Sequence, residues 1–200
     1  MMRRSLTAWS CWVLLGTVLA AGEADARREA LLQVSQGQLP TDIGSDGLTK
    51  FSLEKQPELG GQALKVVYAA GDSVGDRVAR VENWKQFITL ELDALNPGKE
   101  DVSLTLTVKH ARTTGYQSRV DAPVVLKPGK NSVRLGIDEL QNVNGSQPDL
   151  TKVQRWYIAC ESGETPTVYF GDIWLVGADA TAPLAAPSAP APAAAARAYR

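Results

Sequence analysis

Through the middle of this chain apolar residues recur at every second position, and that period sets the fold class. Ile88, Leu90, Leu92 and Ala94 alternate with Thr89, Glu91 and Asp93, and Leu104, Leu106 and Val108 alternate with Thr105, Thr107 and Lys109. Val133, Leu135 and Ile137 repeat the pattern around Arg134 and Gly136. A period of two places one set of side chains in a core and the other in water, as in a half-buried strand. ALKVVYAA and TVYFGDIWLV are apolar strand candidates, and LNPGKED, KPGKN and NGSQPD supply the Pro, Gly, Asn and Asp that turns require. The pattern predicts an all-β, antiparallel β-sandwich of about eight short strands. REALLQV and DRVARVENWKQF are the two stretches with helical spacing, and each predicts a short helix.

The flanks read differently. MMRR, the apolar run LTAWSCWVLLGTVLA and the Ala24-Asp25-Ala26 site predict a signal peptide over 1–26, cleaved before Arg27. The run is shorter than the roughly 20 residues of a spanning helix, so the expectation is a secreted or periplasmic protein with no membrane partner after cleavage. Residues 27–47 form a polar N-terminal segment, 48–177 the β-sandwich domain, and 178–200 an Ala/Pro-rich tail too poor in large apolar side chains to order itself. With 21 basic and 22 acidic residues the chain has no basic field, which argues against nucleic acid as a partner. Cys11 falls in the leader, so Cys160 is the mature chain's one cysteine and is expected to pack as a small hydrophobe beside Ile158 and Trp156.

One motif invites a catalytic reading. Gly71-Asp72-Ser73-Val74-Gly75 has the Gly-x-Ser-x-Gly spacing of a nucleophile elbow and the Gly-Asp-Ser core of GDSL-type esterases. A serine nucleophile needs a base and a strand-to-helix turn. The one histidine, His110, ends a strand and is expected to be an interior residue, so Ser73 is read as loop filler and the chain as a non-enzyme.

ENWKQFITLELDALNP, SLTLTVKHARTTGYQSR, LKPGKNSVRLGIDEL, PDLTKVQRWYIA and TVYFGDIWL follow one another in an order that resembles galactose-binding-like jelly-roll domains. Several of these are carbohydrate-binding modules joined to polysaccharide-degrading enzymes. The resemblance implies a jelly roll and a non-catalytic, glycan-binding role, with a polysaccharide or other glycan as partner. Some sandwiches of this kind also hold a structural calcium, for which Glu54 with Asp172 is one carboxylate pair; no other cofactor is expected. The competing expectation is a secreted structural or protein-interaction domain, and a serine esterase using Ser73 comes third.

Sugar binding requires a ring to stack on a pyranose face and fixed donors and acceptors for its hydroxyls. The candidates are Trp84, entering a strand; Asp93, on the polar parity of its strand; Tyr116 and Arg119, in one hairpin; and Trp174, on the parity opposite Ile173 and Leu175. Each has a structural alternative: Trp84 as a core-edge ring, Asp93 as a turn residue, and Arg119 as a cover for Tyr116. Trp156, on core parity, is read as structural.

Overall fold

The computed structural model describes residues 27–160 and 165–178, so the segment read as a signal peptide and nearly all of the Ala/Pro-rich tail lie outside the described residues. Eleven strands are present among them: β1 (Arg28–Leu32), β2 (Ile43–Ser45), β3 (Lys50–Gln56), β4 (Gly61–Val67), β5 (Ser73–Asp76), β6 (Thr89–Asn96), β7 (Val102–His110), β8 (Val120–Leu126), β9 (Gly129–Gly136), β10 (Val153–Cys160) and β11 (Thr167–Val176). They form two antiparallel sheets. One runs β3-β4-β11-β6-β9, with β1 also paired to β11; the other runs β2-β5-β10-β7-β8. The all-β sandwich expected from the period is therefore present, with three more strands than the turn signals marked.

The alternating residues meet where predicted. Leu90, Leu92 and Ala94 of β6, Leu104, Leu106 and Val108 of β7, and Phe170, Ile173 and Leu175 of β11 fill the space between the sheets. Trp156 and Cys160 are buried there too. Ile88 departs from its set: it precedes β6 and is 53 % exposed, although its backbone bonds to Val176 O and Ile137 N. A shift in the β11 register between Phe170 and Ile173 restores the parity that puts Trp174 on the outer face.

Both predicted helices give way to other structure. REALLQV begins as β1, which pairs with the Ile173–Val176 end of β11, while β4 pairs with the Thr167–Phe170 end. Seven residues are too few for a stable helix in water, whereas an unpaired strand edge offers them a ready ladder. Leu31, Leu32 and Val34 thereby enter the core, so the segment before residue 48 contributes two strands to the sandwich. DRVARVENWKQF forms only a 3-10 turn, Trp84–Gln86, begun by the Asn83 side chain accepting from Lys85 N.

The Gly-x-Ser-x-Gly motif is also structural. Gly71 takes φ +70, which turns the chain into β5. Gly75 lies where an added Cβ would stand 2.4 Å from Tyr157 Cα, so only glycine lets β5 approach β10 so closely. Between them Ser73 is a buried residue of β5 rather than a loop residue, paired with Ala159.

Candidate functional site

The sandwich has two outward faces, and the candidate residues divide between them. Trp84 belongs to neither. It has no exposed surface, its indole N–H donates to Val81 O at 2.9 Å, and its main-chain N–H donates to Leu150 O. The stacking role considered for Trp84 is corrected to a core role, because a ring closed on all sides cannot meet a sugar.

On the six-stranded sheet, strand register lines up Ala30, Trp174, Glu91 and Arg134 across β1, β11, β6 and β9. Trp174, Glu91 and Arg134 border a cleft of about 370 Å3 that also includes Asp93, Ser132 and Asp172. The polar groups here are bound to one another. Glu91 pairs with Arg28 at 3.4 Å and Arg134 at 3.3 Å, and Asp93 accepts from Ser132 Oγ at 2.6 Å with Lys130 at 3.5 Å. Asp93 is thus a mid-strand residue, not a turn residue. The Arg28 guanidinium lies 5.1 Å from the Trp174 ring centre, leaving that half-buried ring partly covered.

Asp172 and Glu54, the pair considered for calcium, have separate duties. Asp172 accepts from Val34 N at 2.8 Å, Ser35 N at 3.0 Å and Ser35 Oγ at 2.7 Å, which fastens the chain leaving β1 onto β11. Glu54 takes Lys65 at 2.9 Å and the Tyr169 hydroxyl. Among the described residues no group of three His, Cys, Asp or Glu side chains is placed to hold a metal.

The five-stranded sheet gathers the other candidates. Its register aligns Gly44, Gly75, Tyr157, Thr107 and Asp121 across β2, β5, β10, β7 and β8. At the β8 end, a 3-10 turn over Tyr116–Ser118 brings Tyr116 beside Arg119, whose guanidinium lies 4.6 Å from the ring centre. Arg119 Nη2 donates to Asp121 Oδ2 at 2.8 Å, and its Nη1 reaches the Tyr157 hydroxyl at 3.4 Å. The other Asp121 oxygen accepts from Thr107 at 2.8 Å. Partial burial works against the Arg119 charge, but the hydrogen bond and field of Asp121 outweigh it and raise the guanidinium pKa further. Tyr116 is 57 % exposed and, with Asp121, Pro123 and Gln141, lines a groove of about 410 Å3 along β8. An open ring, a fixed fork of donors and a held carboxylate therefore stand together at the rim of this sheet.

Tyr157, Thr107 and Asp121 escaped the sequence reading. They share the polar parity of their strands, but parity alone cannot say which strands are neighbours. His110 is interior as expected: Nε2 meets Asn142 Oδ1 at 3.1 Å and Nδ1 accepts from Arg112 N at 3.2 Å. The only histidine of the chain thus has both nitrogens engaged away from Ser73.

Neither a protein-family profile nor a curated protein sequence matches the chain. Solved structures do. A family 11 carbohydrate-binding module of the cellulosomal cellulase Lic26A-Cel5E of Clostridium thermocellum aligns over 76 % of this chain and 96 % of its own, with 12 % identity and a TM-score of 0.58. The Clostridium thermocellum family 11 module in complex with a β-1,3-1,4-mixed-linked tetrasaccharide aligns over 74 % and 95 %, with 12 % identity and a TM-score of 0.56. An exo-β-agarase aligns over 74 % of this chain but 25 % of its own, with 14 % identity and a TM-score of 0.58. The chain has the jelly-roll sandwich fold of carbohydrate-binding modules, over nearly their whole length.

Proposed function

We propose that the protein is an exported, non-catalytic glycan-binding module whose site lies at the β8 rim of the five-stranded sheet. The observation that carries this reading is Arg119, which joins the Tyr116 ring, the Asp121 carboxylate and the Tyr157 hydroxyl in one constellation. Tyr116 offers its open face to a pyranose, while Asp121 orients Arg119 so that the guanidinium N–H groups not spent on that carboxylate can donate to adjacent hydroxyls. The fold likeness to modules that include one in complex with a tetrasaccharide supports the reading. Asp93 and Trp174 lie on the other sheet, apart from this constellation, and Trp174 is half-buried where Tyr116 is exposed.

Glycan-array screening followed by titration of single variants tests it. Tyr116→Ala is expected to weaken binding by about 2 kcal/mol, the value of a hot-spot aromatic, with the melting temperature almost unchanged. Trp174→Ala is expected to leave binding intact. Loss of binding in Trp174→Ala alone would move the site to the six-stranded sheet, and no binding to any glycan would favour the structural or protein-interaction role.

A further inference from the structure

Lys109 and Arg155 are direct cross-strand partners on the outward face of β7 and β10. Like charges facing each other in this way oppose sheet formation. Both reach over Tyr157, Lys109 Nζ at 5.7 Å and the Arg155 guanidinium at 4.9 Å from the ring centre. Arg155 also pairs with Asp46, which Arg77 shares at 3.8 Å. Lys109 has no ion pair to a carboxylate among the described residues; the Tyr157 ring is its partner.

Three cations converge on the Tyr157 side chain: Lys109 and Arg155 lie over its ring, and Arg119 Nη1 reaches its hydroxyl. Asp46 pairs with Arg155 and Asp121 with Arg119, so of the three Lys109 is the one with no carboxylate partner among the described residues.

We infer that the ligand of this face is an anionic glycan, carrying carboxylate or sulfate groups, with Lys109 and Arg155 receiving the anion beside the ring that stacks on Tyr116. The inference rests on the glycan-binding reading above. A bound anion would relieve the Lys109–Arg155 repulsion, so a charged sugar gains what a neutral one of equal shape does not.

The test is affinity electrophoresis of the full chain in gels containing polymers matched in backbone: dextran against dextran sulfate, and hydroxyethylcellulose against carboxymethylcellulose, with alginate and carrageenan added. Retention by an anionic polymer about tenfold stronger than by its neutral counterpart is expected, falling as salt rises to about 0.5 M. The sulfate and carboxylate arms identify which group is preferred. Lys109→Gln should bring the anionic and neutral values within about threefold of each other, and Tyr116→Ala should weaken both. Equal retention by neutral and anionic polymers overturns the inference while leaving the glycan-binding reading standing. Retention by none defeats both, and an anionic preference that survives in Lys109→Gln overturns the assignment to this face.

Discussion

Trp84 and Tyr116 show how one residue type can serve opposite ends. Both are aromatic and both stand at the start of a 3-10 turn, yet one ring has no exposed surface and the other is 57 % exposed. Trp84 is tied in by its own N–H to Leu150 O and by Ile88 N to Val176 O, whereas the Tyr116 carbonyl accepts only locally, from Arg119 N. Trp84→Ala is therefore expected to cost about 3 to 5 kcal/mol of stability, the usual price of emptying a large core site. Urea unfolding measures it. A loss below about 1 kcal/mol, the range of surface substitutions, would show that the ring is not part of the core.

Among the elements, β1 is fastened at its exit by a single side chain. Its pairing with β11 ends at Leu32, and Asp172 then holds Val34 and Ser35 through three hydrogen bonds. Hydrogen bonds to a charged group are worth about 1.5 to 3 kcal/mol each when the partner is buried, less when water can replace it. Asp172→Ala is expected to release this segment locally. Hydrogen exchange at the Val34 and Ser35 amides should quicken markedly, while β7 and β10 amides stay protected. Unchanged protection at Val34 would show that β1 is held by packing of Leu31 and Leu32 alone.

At the scale of the molecule, Asp72 joins the two sheets at one end. Its carboxylate accepts from Ser45 Oγ at 3.0 Å, Thr49 N at 2.7 Å and Ser73 N at 2.7 Å, linking the exits of β2 and the entries of β3 and β5. Burial penalises its charge, but those hydrogen bonds prevail and hold its pKa below the usual 3.8. A lowered folded-state pKa means a stabilising contribution present above pH 3.8 and lost as pH falls through the lower folded value. Asp76 has the opposite sign: burial is the main cause of its raised pKa, so its contribution is present at acid pH and lost as pH rises through the folded value. Asp72→Asn should consequently melt well below wild type at neutral pH, with the gap closing below pH 3.8. Thermal unfolding across pH decides it, and a gap of constant size would exclude the ionised carboxylate as the link.

The sequence by itself determined the class of fold, because a side-chain period of two admits little else, and it determined the interior roles of Trp156, His110 and Cys160 through strand parity. The turns were legible for the same local reason: Asn96 and Asn131 bond to backbone within five residues along the chain. Tertiary structure decided what local pattern could not. Whether REALL became helix or strand depended on an edge of β11 lying far along the chain, and whether Trp84 faced sugar or core depended on the path of the chain beyond it. Tyr116 and Arg119 were visible as neighbours in one hairpin. Their meeting with Tyr157, and the confrontation of Lys109 with Arg155, exist only because β10 pairs with β7, a contact between residues that no local period relates.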